Sequence, residues 1–167
     1  GKEVVVIGGG AVGIETAMYL AKMGTIDAET LKFLFLNKAE DPERLREYAT
    51  RGVKKVTIVE MLDRAGADIG LTTRWIALRQ LSKYGIRVLT HTRATEITPQ
   101  GLWVEKKEGR EIIPCDTVVM ACGTVPVNPL EEKLKGLVEK VVVVGDAKKA
   151  RKAYEAIHEA FFEAIKI

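Results

Sequence analysis

Two hydrophobic rhythms alternate along the chain. Residues 3–7 read E-V-V-V-I, a continuous β-branched run of the kind a parallel sheet buries on both faces. Residues 14–23 are helix formers, with Ala17, Leu20 and Ala21 on one face and Gly24 as the stop. A second strand, K-V-T-I-V-E, is predicted at 55–60, then an amphipathic helix over 72–84 with Ile76, Leu78 and Leu81 apolar, ended by Gly85. A short strand follows at 86–89. From 94 to 113 the pattern becomes that of strands and turns. Pieces at 95–98, 102–106 and 111–113 are parted by Pro99-Gln100-Gly101 and Glu108-Gly109, which predicts a three-stranded antiparallel meander. Residues 117–121 form another buried strand, ending at Cys122-Gly123. A connector with Pro126 and Pro129 leads through Glu131 to Gly136, and a last buried strand at 141–144 precedes a last helix at 147–165.

The segment between Gly24 and Lys54 does not fit this alternation. Residues 29–36 and 42–49 look like two short helices where a link usually has about two to six residues. We read residues 25–54 as a helical insertion on the surface of an α/β core. Strands alternating with helices predict a parallel sheet, and the meander adds a further layer, giving a three-layer α/β fold.

Composition narrows the classes. The 167 residues are 47% hydrophobic and 29% charged, values of a globular chain with a real core. The net charge of +3 is spread along the chain, so nucleic acid is not expected as a partner. No run of about 18 apolar residues predicts a membrane span, and no charged segment precedes a hydrophobic stretch as in a secretion signal. Cys115 and Cys122 do not form a C-x-x-C pair and cannot supply four ligands to an iron–sulfur cluster. They are read as reduced thiols at strand positions in a cytoplasmic protein. His91 and His158 are isolated, so neither a zinc site nor a catalytic role is expected of them.

The candidate chemistry lies at Gly8-Gly9-Gly10-Ala11-Val12-Gly13, a G-x-G-x-x-G pattern after a strand and before a helix, as the dinucleotide-binding fingerprint requires. Gly8 allows the tight turn, Gly10 lets backbone approach a pyrophosphate, and Gly13 lets the helix lie close on the strand. The phosphates would meet the N–H groups that open the helix, at Ala11 and Val12, and the positive end of its dipole. The fingerprint also calls for an acid at the end of the next strand, normally about 20 residues on. Glu60 ends that strand 52 residues beyond Gly8, and removing the insertion restores the interval. Its carboxylate would accept hydrogen bonds from both adenosine ribose hydroxyls and repel a 2′-phosphate. Two unit charges about 4 Å apart interact by about 4 kcal/mol at an effective dielectric near 20. A quarter of that is roughly a fivefold preference for NADH over NADPH. The alternative for Glu60 is a solvated strand end. Arg64, four residues further, would soften the discrimination. Glu15 is placed in the first turn of the first helix, either as a dipole partner or packing acid or on the nicotinamide side. Thr72 reads as an N-terminal helix residue, Trp75 as a core or edge anchor, and Trp103 as packing in the meander.

The element order resembles the NAD(P)H domain of two-dinucleotide flavoproteins, the Rossmann-like FAD/NAD(P)-binding fold of pyridine nucleotide-disulfide oxidoreductases. Ala121-Cys122-Gly123-Thr124-Val125-Pro126-Val127-Asn128 is similar to their A-T-G-x-x-P-N crossover, departing at Cys122 and by Val127 before Asn128. Val144-Gly145-Asp146-Ala147 resembles the strand plus G-D motif whose Asp binds the ribityl chain of FAD; Asp146 is equally read as an N-cap of the last helix. Gly70-Leu71-Thr72-Thr73-Arg74-Trp75-Ile76 and the insertion are similar to the NADH:flavin oxidoreductases akin to 2-enoate and 2,4-dienoyl-CoA reductase.

The resemblance implies a dinucleotide-binding module that holds NADH for hydride transfer to FAD, with Gly123 and Asp146 among its cofactor contacts. It also implies an NAD(P)H-binding domain at 1–124, a crossover linker at 125–140, and the strand and helix of an incomplete FAD domain at 141–167. FMN, an iron–sulfur cluster and the substrate residues would lie in further domains of a longer enzyme, with which this module would partner. Residues 141–167 are then expected to pack irregularly, to move, or to self-associate. Two other readings stay open: a structural ADP or dinucleotide site without hydride transfer, as related amine dehydrogenases suggest, and a complete small FAD protein.

Overall fold

The E-V-V-V-I run forms β1 (Glu3–Ile7), and its three valines are almost wholly buried because both faces of the strand are covered. A computed structural model describes residues 1–166. The fingerprint glycines lead from β1 into α1 (Ala11–Lys22), and the insertion supplies α2 (Ala28–Leu36) and α3 (Pro42–Thr50). Asp27 and Asp41 cap those two helices by accepting the N–H groups of Thr30 and Glu43 at 2.8 Å each. β2 (Lys55–Val59), α4 (Leu71–Lys83) and β3 (Arg87–Leu89) follow, then β4 (Arg93–Thr98), β5 (Gly101–Lys106), β6 (Gly109–Ile113) and β7 (Thr117–Met120).

The parallel sheet runs β3-β2-β1-β7, and β4-β5-β6 form a separate antiparallel meander. Period-two alternation along β1 explains the layers. Val4 and Val6 face α1 and α4 with Ile14, Ala17, Ile58 and Leu81, while Val5 joins Val59 against Leu102, Val104 and Ile113 of the meander. Helices, parallel sheet and meander are therefore the three layers of an α/β, Rossmann-like FAD/NAD(P)-binding fold.

This first unit spans Gly1–Cys122; a second begins at Gly123. The second holds α5 (Glu131–Leu134), a 3₁₀ turn at Gly145–Ala147 and α6 (Ala153–Ala164). Asn128 sets up α5, accepting the Glu131 N–H at 3.3 Å and donating its amide to the Glu131 carboxylate at 2.6 Å.

Several expectations are corrected. Residues 141–144 join no ladder among the described residues, and they are half-buried rather than buried. The last helix begins at Ala153 instead of 147, so Asp146 lies in the 3₁₀ turn and does not cap it. The first helix begins at Ala11, which moves Glu15 from the first turn to the second. Of the two places expected for Trp75, the core is excluded: the residue is 58% exposed on α4, whose buried residue is Leu81. Neither cysteine lies in a strand; Cys115 precedes β7 and Cys122 follows it. Trp103 does pack, under the Arg110 guanidinium 4.6 Å from its ring centroid.

Candidate functional site: the glycine loop and its carboxylates

β1 ends where the chain must turn sharply, and Gly8 takes φ +106°, a conformation that side chains disfavour. Its N–H donates to the Val59 carbonyl at 2.9 Å, and the Ala121 N–H donates to the Ile7 carbonyl at 2.8 Å. The carboxyl ends of β1, β2 and β7 are thereby drawn together. Gly13 lies directly under the Gly8 carbonyl, in space that a Cβ would fill. The cradle therefore needs glycine at both ends, as the fingerprint predicts.

Glu60 stands one residue past β2 and is 9% exposed. Its Oε2 accepts the Gly9 N–H at 2.7 Å and its Oε1 accepts the Leu62 N–H at 2.8 Å. Burial of this acid is tolerated because each oxygen has a backbone donor. The acid is no solvated strand end; it fastens the glycine loop to the end of β2. Thr92, 1% exposed, donates its N–H to the Glu60 carbonyl at 2.9 Å and fixes the same corner from the start of the meander.

The loop between β2 and α4 closes over the cradle. The Gly66 N–H donates to the Gly9 carbonyl at 2.6 Å, Ala65 is buried, and Arg74 Nε donates to the Ala65 carbonyl at 3.0 Å. Beyond Gly66 the loop brings Asp68 to the start of α1, where its carboxylate accepts the Ala11 N–H at 3.0 and 3.1 Å. Helix α1 has no cap of its own, because Gly10 has no side chain and the first turn carries no acid.

A cavity of about 630 Å³ opens at these strand ends, lined by Gly8, Gly10 and Glu60 together with Met61, Arg93 and Met120. A larger groove of about 1100 Å³ runs between α3 and α4, but it has neither strand ends nor glycine loop. Open parallel sheets take ligands beyond the carboxyl ends of their strands, so the smaller cavity is the candidate.

Of the residues singled out in the sequence, Gly8, Gly10 and Glu60 line this cavity. Ala11, Val12 and Gly13 form the first turn of α1 beside it. Glu15 is exposed on the second turn and is not in the lining. Arg64 is exposed, 3.9 Å from the Asp63 carboxylate, and lines a different depression with Ala65 and Arg74. Gly123 and Asp146 belong to the second unit. There the Gly145 N–H donates to Glu159 at 3.0 Å, and Lys148 and Arg151 hold that carboxyl below the usual carboxylate range, Lys148 most strongly. Sequence reasoning missed Asp68, whose only signal is its place just before α4, and Arg93, which is set by the register of β4.

The whole arrangement matches a family model. Residues 1–160 correspond to the pyridine nucleotide-disulphide oxidoreductase model. The chain belongs to that family. As a family member it is 43% identical over 166 residues to a metal reductase of Desulforamulus reducens, covering 99% of this chain and 25% of that protein. It is 36% identical over 162 residues to an NADH oxidase of Thermoanaerobacter brockii, covering 96% and 20% respectively. Among solved structures, a 2-naphthoyl-CoA reductase in complex with 2-naphthoyl-CoA superposes with a TM-score of 0.71 at 25% identity, covering all of this chain and 21% of that one. The chain thus spans a fifth to a quarter of the length of these relatives.

Proposed function

We propose that this chain is the NADH-binding module of a flavin-dependent reductase, of the kind that joins NADH oxidation to reduction of an activated C=C bond. The observation that carries the reading is the buried Glu60 carboxylate on the wall of the cavity, clasping the glycine loop at Gly9. The fit of a dinucleotide rests on three groups in one unit: a cradle without Cβ atoms, a helix N-terminus, and an acid where the adenosine ribose would lie. Likeness to a 2-naphthoyl-CoA reductase and to an NADH oxidase supports the choice of reaction class and of cofactor.

In this reading the backbone of Gly8–Gly13 receives the pyrophosphate and Glu60 receives the ribose hydroxyls. The β7 end, at Met120 and Ala121, lies on the nicotinamide side. When bound, the nicotinamide supplies a hydride to a flavin. The chain's own residues contribute position: they hold the dinucleotide in one register. Gly123 and Asp146 are assigned to the nicotinamide and FAD contacts on the strength of their motifs alone. FMN, an iron–sulfur cluster and the substrate site are assigned to other domains of a longer polypeptide. The apolar side chains of α6, Tyr154, Ile157 and Phe161, and Ile165 just past its end are exposed and are assigned to meeting those domains.

Fluorescence titration of the chain with NADH, NADPH and ADP at one salt concentration tests the reading. NADH is expected to bind at least about fivefold tighter than NADPH, and Glu60→Gln to narrow that gap. NADPH binding tighter than NADH overturns the role of Glu60 and points to Arg93, the cation on the same wall, rather than Arg64. ADP binding as tightly as NADH favours the structural-ligand alternative.

A further inference from the structure

The N-terminus of α1 is already occupied by an anion. Both carboxylate oxygens of Asp68 lie within hydrogen-bond distance of the Ala11 N–H, at 3.0 and 3.1 Å, and the aspartate is the nearest group to the open side of Gly10. A bound pyrophosphate needs this same N–H and this same end of the helix dipole. The two anions cannot share one donor at close range.

We propose that Asp68 is an internal competitor for the phosphates, an affinity-setting side chain that caps α1 in the free protein and must swing away when a dinucleotide binds. This deepens, and rests on, the dinucleotide reading above. Three observations carry it. First, α1 has no other cap: Gly10 contributes no side chain and no acid lies in the first turn, so the helix relies on Asp68. Second, the segment bearing Asp68 is anchored just before it, by Gly66 to Gly9 and by buried Ala65, so the backbone stays while the side chain moves. Third, Asp68 is exposed, unlike Glu60, so a rotamer change does not leave a buried acid unpaired.

Glu60 and Asp68 then divide the work of two superficially similar contacts. Glu60 is buried and remains to meet the ribose; Asp68 is exposed and leaves. The free loop keeps its N–H satisfied and its helix capped, and binding exchanges one anion for another instead of filling an empty, strained cradle. Part of the affinity that the dipole offers a phosphate is thereby given up.

The test is calorimetric titration of the wild-type chain, Asp68→Asn and Asp68→Ala with NADH, ADP and adenosine, alongside thermal melts without ligand. Removing the charge is expected to tighten NADH and ADP by about tenfold, to leave adenosine, which has no phosphate, unchanged, and, in Asp68→Ala, which also loses the acceptor that Asp68→Asn keeps, to lower the melting temperature of the free protein through loss of the cap. The Ala11 amide resonance should shift on substitution in the free protein and coincide with wild type in the NADH complex. Two outcomes overturn the proposal while leaving the dinucleotide reading intact: both variants binding NADH no more tightly than a wild type that binds it, or a gain that extends equally to adenosine. Failure of wild type and variants alike to bind any of the nucleotides overturns the reading itself and the proposal with it.

Discussion

A single methyl group at position 13 tests how closely helix and strand must approach. The Cβ of Gly13→Ala would fall inside the Gly8 carbonyl oxygen, which is main chain and cannot rotate away. The variant should lose about 2–3 kcal/mol, read as a lower urea midpoint, and bind nucleotide weakly because the cradle opens. Glu60 carries two duties at once, since its oxygens hold Gly9 and Leu62 while facing the cavity. Glu60→Ala should therefore cost stability as well as binding, about 1–3 kcal/mol for the two orphaned N–H groups. Glu60→Gln retains one carbonyl acceptor and separates the two losses. The thiols should also differ. Burial pushes the Cys115 thiol above its ordinary value, whereas Cys122 is exposed, so iodoacetamide at pH 8 should label Cys122 first, as peptide mapping would show.

At the scale of elements, one aspartate fastens the start of β7 to the start of β1. Asp116 accepts the Lys2 and Glu3 N–H groups at 2.7 and 3.1 Å, and its own N–H donates to the Glu3 carbonyl at 3.0 Å. Those donors, Glu3 first and then Lys2, hold its carboxyl down at about 2. The folded value lies below the unfolded one near 4. Its contribution is therefore complete above about pH 4 and is lost as pH falls through about 2. The melting-temperature difference between wild type and Asp116→Asn should be constant above about pH 5 and close towards pH 2. The insertion follows another logic. α2 buries none of its residues and is held by its Asp27 cap, while α3 sends Leu45 inward. Caps and two buried residues of α3, Leu45 and Thr50, suffice for a surface addition between α1 and β2.

For the molecule as a whole, both hydrophobic clusters draw their buried residues from the first unit, and no described residue from Gly123 onward is buried. A segment without a core opens with little free energy. Amide exchange should be slow in β1, β2 and β5 and fast throughout 141–166, and slow exchange there would contradict this picture. Limited proteolysis should cut first in the exposed stretch 123–127 and leave residues 1–122 folded. Among the described residues, no helix is long and apolar enough to cross a membrane.

How much of this was legible in the sequence follows from the range of the forces involved. Periodicity and turn chemistry are local, so the V-V-V run, the glycine fingerprint, the meander and both insertion helices were placed to within a few residues. The place of Glu60 was legible because it is tied to a strand end, once the insertion is discounted. The strand at 141–144 fails for the opposite reason: a β-branched run becomes a strand only when a neighbour supplies its ladder, and none of the described strands pairs with it. The core alternative for Trp75 fails because an apolar ring on an amphipathic helix has no assigned partner until the layers are stacked. Asp68 and Arg93 were invisible as site residues, since a loop and a register, not a spacing, deliver them to the glycine cradle. The sequence by itself determined most of the elements and the glycine turn between β1 and α1, because helix, strand and tight turn are decided by neighbours along the chain. Only the tertiary structure decided which charges face that cradle, because they arrive from segments whose meeting is set by packing.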